Sequence, residues 1–402
     1  MAQGTFRGHS RGHSRGLRSK GNWRGRGRGK GGWHGPVMQP PSSEPEFYPL
    51  VRPIFDWTEV EEHFPQAPTV LDNSLLEQLL VEHAASLVLP PEEQSALDSF
   101  VQKLCTLVDN MIVSGEGESM LLDEVRVVGA HKMGIAMAPD KVVEIVILLK
   151  DLPTPALMSK ISGTLVESLE TARREDKDGF DMGQVTMANE FDYSFEIHGG
   201  KIPVAKVYLT STGEKVYGGP RRDRMISDMT PFEKALKMIR HSRWWEDHTH
   251  HLQCAHDLVR VLIDMKNHVP GLQYLSTWYI QLLIHCSVVP LIGDEPLSFV
   301  GAFKRVWELL SAGLFLPGSV GVPDPCEESE CSIHDSLPLY QLDQLTRNAQ
   351  MILQMISFGA YREVLAMPGA TPINFMQPYC FGGVTLDVPA PALEQPLENS
   401  NT

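Results

Sequence analysis

The chain has 402 residues, with 35 Lys/Arg against 50 Asp/Glu and a formal charge of −15. That average hides a division: residues 1–36 hold nine Lys/Arg and no acid, so 26 basic and 50 acidic residues remain for the rest, a balance of −24. A body so acidic repels phosphate backbones and is excluded as the main nucleic-acid surface, which leaves direct affinity to the first 36 residues. The six cysteines, Cys105, Cys254, Cys286, Cys326, Cys331 and Cys380, show no Cys-x-x-Cys pair and suit reduced thiols inside a cell. The start of the chain is basic and Gly-rich without the apolar segment of a secretory leader. Apolar runs such as Ile145–Leu149 are strand-sized, so a soluble protein is expected.

In chain order, residues 1–36 form a low-complexity tail in which Arg7, Arg11, Arg15, Arg24, Arg26 and Arg28 alternate with glycine among Phe6, Trp23 and Trp33. Glycine at that density buries no core, so a disordered tail is expected. Its guanidinium groups and aromatic rings fit RNA contact by charge and stacking, with little sequence selectivity. Residues 37–70 are Pro-rich and read as an extended lead-in. After Pro90-Pro91, Leu97, Phe100, Leu104, Leu107 or Val108, and Met111 mark one buried helical face. Strands are expected at Glu124–Val128 and Val142–Leu149, a helix over 156–172, and further strands at Gln184–Asn189, Tyr193–His198 and Val204–Thr210.

Beyond Gly218-Gly219-Pro220 the periodicity is helical throughout. Thr230-Pro231-Phe232-Glu233 reads as a capping box with proline at the first helical position. Helices follow over 252–268, 275–287 and 296–314, the last with Leu297, Val300, Phe303, Trp307, Leu310 and Leu314 on one face. A final helix carries Leu342, Leu345, Ala349, Ile352 and Ile356. The expected organisation is α/β: a mixed-sheet subdomain over 71–215, an all-helical subdomain over 216–370, and a tail over 371–402.

The stretch Val128-Gly129-Ala130-His131-Lys132-Met133-Gly134, followed ten residues later by Glu144 on an apolar strand, has the layout of a nucleotidyltransferase centre. Such a centre needs a phosphate-holding turn and three carboxylates, because two divalent ions clamp the attacking and leaving oxygens. Here the turn has Gly129 and Gly134 but Ala130 at its serine position. Glu144 is the one carboxylate; the same-face neighbour is Val146, and the later strand offers Lys206 and Tyr208. One acid of three cannot hold the metal pair, so no catalytic residue, cofactor or metal is expected. Gly129 and Gly134 also fit a tight turn that simply needs glycine, and both readings stand at this stage.

Other clusters are weaker. His241, His248, His250, His251 and His256 lie near Cys254, but no second ligand pair accompanies His250 and Cys254. Cys326 and Cys331 flank acidic residues at a spacing of no diagnostic value. Arg221, Arg222 and Arg224 are either an RNA contact or a solvated loop. Trp244, Trp245, Trp278 and Trp307 read as core or interface anchors.

Several segments carry a resemblance. Met238-Ile239-Arg240-His241-Ser242-Arg243-Trp244, the Val125-Arg126-Val127-Val128-Gly129 turn, the Arg-Gly-rich start and above all Leu309–Glu327 are similar to the family of the domain associated with zinc fingers. The family's turn usually reads Gly-Ser and ends Gly-Thr, where this chain has Gly129-Ala130 and Gly134-Ile135. The resemblance implies a pseudo-nucleotidyltransferase whose helical half pairs with the same domain of a larger, double-stranded-RNA-binding subunit of the interleukin enhancer-binding factor family. It implies a role in transcription and RNA metabolism in the nucleus, the nucleolus and cytoplasmic ribonucleoprotein, with RNA and DNA reached mainly through the complex and the basic tail, and no membrane. Trp244, Phe315 and Leu316 are the candidates for the dimer interface. Asp324-Pro325 resembles the element that template-free RNA polymerases place beside the base, but fits better a loop closing the helical half after Pro317. Two rival expectations are a template-free nucleotidyltransferase using relocated acids such as Asp123 or Glu124, and a nucleotide-binding sensor without turnover.

Overall fold

The computed structural model describes residues 73–115, 117–138, 142–175, 185–189, 193–198, 204–217, 230–289, 295–327, 337–389 and 391. The Arg-Gly tail, the lead-in over 37–70, Arg221, Arg222, Arg224 and Cys331 lie outside these residues. No helix among the described residues is long and apolar enough to cross a membrane.

The strand β2 (Val142–Leu149) anchors the sheet. Its run of Val, Ile and Leu is broken only by Glu144, which suits a strand covered on both faces. It pairs antiparallel with β1 (Leu122–Val128) and parallel with β5 (Val204–Ser211). Beyond β5 come β4 (Ser194–Ile197) and β3 (Val185–Asn189), both antiparallel, giving the order β1-β2-β5-β4-β3. All five strands stand within two residues of their expected bounds.

Alternation along β2 assigns the two faces. Val143, Ile145, Ile147 and Leu149 are fully buried against α2 (Pro91–Ser114) and α4 (Pro155–Glu175). Within α2 the buried row is Leu97, Phe100, Leu104, Val108 and Met111, so Val108 rather than Leu107 continues the face. On the opposite side Val146 packs with Val128, Tyr208 and Ala235. Ala235 belongs to α6 (Thr230–Thr249), which follows the short α5 (Gly213–Tyr217) in the chain and crosses, over 20 residues, from the sheet to the helical half.

The helical half is built from α7 (Gln253–Met265), α8 (Thr277–Val288), α9 (Phe299–Ser311) and α10 (Leu339–Ser357). Ser276 and Ser298 cap α8 and α9, each hydroxyl accepting an amide hydrogen from three residues on (3.2 Å in both cases). Trp307 and the expected α10 face, Leu342, Leu345, Ala349, Ile352 and Ile356, are inside the core.

Three placements differ from the sequence reading. First, α1 (Asn73–Leu87) lies before the sheet in the chain but packs with the helical half through Leu76, Leu79, Leu80, Ala84 and Leu87. The helical core therefore draws on the N-terminal end of the chain. Second, the stretch expected as tail supplies a small hairpin, β6 (Tyr379–Phe381) and β7 (Val384–Leu386), and Phe375 and Leu386 are buried in the same core. Third, Met133, Ile135 and Met137, just after the turn, also enter the helical core, so the two halves share buried side chains.

Candidate functional site

The turn after β1 coils into a single helical turn, α3 (Gly129–Lys132). Gly129 has φ of 72°, and a Cβ there would stand 2.0 Å from Glu144 Oε2. Glycine is thus required twice over, by the backbone and by the approach of that carboxylate. Gly134 has φ of 67°, but a Cβ would meet nothing nearer than 3.4 Å, so only its backbone asks for glycine.

The helical half clamps this turn. The Gly129 amide donates to Ser242 Oγ at 3.1 Å, and the Trp245 indole N–H donates to the Met133 carbonyl at 3.1 Å. Arg260, largely buried, donates to the Gly134 and Ala136 carbonyls and to Asp257 Oδ1. Burial pulls the Arg260 guanidinium below its usual range, with Asp257 opposing. Ala130 packs toward the helical core. The leading amide of the turn therefore already has a protein acceptor.

The strand register tests the carboxylate count directly. Glu144 stands opposite Lys206, and Val146 opposite Tyr208. Glu144 Oε1 accepts from Tyr208 Oη at 3.3 Å. The Lys206 and Lys234 ammonium groups lie 5.4 and 5.8 Å from the centre of the Tyr208 ring. Val146 is fully buried in apolar contact and offers no ligand. On this face the positions next to Glu144 hold a valine, a tyrosine and two lysines, while Glu196, across Lys206 on β4, lies 3.3 Å from His198 Nε2. The relocated acids do not converge on it. Glu124 pairs with Leu148 at the far end of β2 and bridges Arg126 at 2.7 Å, while Asp123 is exposed in the strand irregularity beside it.

A second group forms where α6 meets the loop after α9. Asp324 Oδ2 accepts from the Trp278 indole N–H and Oδ1 from the Cys326 amide, both at 2.9 Å. His241 stacks on Trp278, with centroids 3.9 Å apart and planes within 6°. Burial pushes the His241 imidazole down to about 4, against the pull of Asp324. Burial, with Asp324 adding, pushes the Cys326 thiol up to about 11. Lys237 and Arg240 both reach Glu327, at 3.3 and 3.1 Å. Pro325 sits exposed between the two functional side chains of the loop.

The histidine cluster does not assemble as a ligand set. Cys254 Sγ faces the Leu297 carbonyl at 3.9 Å, and His250 Nδ1 lies 3.3 Å from the Glu246 carbonyl. Among the described residues, His241, Asp324 and Cys326 are the group of three with donor atoms close enough for one ion. Local spacing carries no cue for this trio, since 83 residues separate its first two members. Of the interface candidates, Phe315 is taken into the protomer's own core at 2 % exposure. Trp244 and Leu316 remain half-buried, Trp244 within a ring cluster with Trp278, His248 and His285.

The mixed five-stranded sheet, the glycine turn beside a carboxylate strand and the appended helical half define a nucleotidyltransferase-like protein. Over 73 % of this chain and 98 % of the other, the fold matches the E. coli MS115-1 CdnC structure with ATP, at a TM-score of 0.52 and 12 % identity. A cytoplasmic RNA terminal U-transferase aligns over 75 % of this chain and 99 % of its own, at 0.47 and 10 %. The Vibrio cholerae DncV cyclic AMP-GMP synthase follows at 0.44 and 10 %, over 72 % and 93 %. The chain itself belongs to the DZF family: the DZF N-terminal domain matches residues 35–250 and the DZF C-terminal domain residues 254–384. The family boundary falls just after α6, later than the 215/216 division read from the change in periodicity.

Proposed function

We propose that this chain is a DZF subunit of the interleukin enhancer-binding factor 2 type, a nucleotidyltransferase-like scaffold that does not turn over nucleotides. In this reading it pairs through its helical half with a larger DZF protein bearing double-stranded-RNA-binding domains. The complex would act in transcription and RNA metabolism in the nucleus, with the Arg-Gly tail adding RNA contact.

The reading rests on the face formed by Glu144, Val146, Lys206 and Tyr208. Two-metal phosphoryl transfer needs carboxylates that neutralise divalent ions and hold them about 3.5–4 Å apart. A valine and a lysine at the remaining positions supply neither coordination nor the required charge, and a lysine repels the ion it replaces a ligand for. Loss of the ions removes the dominant electrostatic stabilisation of the transferring phosphoryl group.

Two measurements on the full chain test the proposal. Incubation with each nucleoside triphosphate, Mg²⁺ or Mn²⁺, and RNA primers should give incorporation no greater than the Glu144→Ala variant; incorporation that Glu144→Ala abolishes would refute inactivity. Co-expression with a larger DZF protein should yield a one-to-one complex by light scattering. Two separate species at micromolar concentration would refute the pairing.

A further inference from the structure

Among the described residues, a place apart from the turn and the Glu144 face concentrates donor groups that packing alone leaves unexplained. His241 Nε2 is buried without a hydrogen-bond partner. Its nearest ionic neighbour, Asp324 Oδ2, is 3.8 Å away, too far for a hydrogen bond. Leaving a buried polar nitrogen unsatisfied is unfavourable, yet the ring is held in place by its stack on Trp278. Cys326 Sγ completes the group, and the three donor atoms lie within 4.8 Å of one another.

We propose that His241 Nε2, an Asp324 carboxylate oxygen and Cys326 Sγ form a binding site for a zinc-class divalent ion, with its fourth position open. Ligands at about 2.0–2.3 Å around a tetrahedral ion stand roughly 3.3–3.7 Å apart, so the observed spacing needs only small side-chain adjustments. The donor set selects the ion. Imidazole and thiolate favour zinc and its first-row neighbours, whereas Mg²⁺ and Ca²⁺ require oxygen ligands.

The surroundings are arranged as support for such an ion. Asp324 is oriented by the Trp278 indole and the Cys326 amide, the kind of outer hydrogen bonds that hold ligating carboxylates. A carboxylate oxygen accepting from Trp278 retains a lone pair for the ion. The nearby cations Lys237 and Arg240 are engaged by Glu327, which limits their repulsion. His241 would bind in its neutral form, so its lone pair is available without proton loss. Binding transfers the Cys326 thiol proton to solvent as the sulfur–metal bond forms, and no oxidant or reductant is involved. The open fourth position takes water or a donor atom of another molecule. The site is independent of the pairing proposed above.

The test uses the full chain, stripped with chelator and titrated with Co²⁺. One Co²⁺ per chain is expected, with a near-ultraviolet thiolate-to-cobalt band and visible absorption of tetrahedral intensity. Cys326→Ser should abolish the thiolate band, and His241→Gln and Asp324→Asn should each weaken binding at least about tenfold. Cys254→Ser, outside the trio, should match the parent throughout, and circular dichroism with the melting temperature checks that each variant is folded. Absence of Co²⁺ binding, a spectrum without the thiolate band, or binding unchanged in folded Cys326→Ser would each overturn the site.

Discussion

The two ends of α6 look onto two different outcomes of the same architecture. Toward its N-terminal end Lys234 and Ala235 cover the sheet face where Glu144 stands beside Val146, Lys206 and Tyr208. Further along, His241 faces Asp324 and Cys326, where donors converge that no neighbouring spacing announces. At the first end valine, lysine and tyrosine stand beside Glu144, while Gly129 and Glu144 together shape the turn. Shape and chemistry are therefore separable: the fold keeps Gly129 because Glu144 packs on it, whatever the turn now binds.

The sharpest way to break that contrast is to strain the turn itself. Gly129→Ala places a methyl on Glu144 Oε2 and a side chain at positive φ. A loss of about 3 kcal/mol is expected from the two effects together, read by chemical denaturation. Adding Glu144→Ala should restore the steric part of that loss and leave the backbone part. If Gly129→Ala alone unfolds no more easily than the parent, the glycine is not held by this packing.

The next effect is at the other end. With chelator present, His241 resists protonation in the folded chain down to about 4, whereas an unfolded histidine takes a proton near 6.5. A depressed folded value costs nothing above the unfolded one, and stability falls as pH drops from about 6.5 toward 4. The loss attributable to His241 is on the order of 3 kcal/mol at the acid end. Urea denaturation at several pH values should show a shallower decline for His241→Gln than for the parent. Equal slopes would mean that the imidazole titrates freely.

The smallest effect sharpens the first comparison. Glu144→Gln keeps the shape against Gly129 and the acceptor for Tyr208 while removing the charge, so a change within about 1 kcal/mol is expected. A much larger loss by thermal melting would mean that the charge of Glu144, rather than its shape, maintains the sheet face.

How far the sequence could lead is clear from particular residues. Alternation along Val142–Leu149 and the rows of α2 and α10 were legible, because one buried face imposes its period directly. That Val146 shares the face of Glu144 was legible for the same reason, since same-face positions on a strand are two apart. The α1 row from Leu76 to Leu87 has the same helical spacing, but its partner is the helical half more than 160 residues downstream, which periodicity does not name. The break at Gly218-Gly219-Pro220 marked a change in periodicity, whereas the family boundary follows α6. The trio at His241 was out of reach because it depends on a loop folding back over a helix. Phe315 is a candidate for the dimer interface by sequence, yet its ring lies within the chain's own core.

The helix α6 carries a mechanical consequence. Its 20 residues form a rod of about 30 Å, with Phe232 and Ala235 fixed on the sheet side and Trp245 wholly enclosed on the other. Swinging the two halves apart would require snapping that rod or drawing Trp245 and the Met133–Met137 segment out of their packing. The two halves are splinted together.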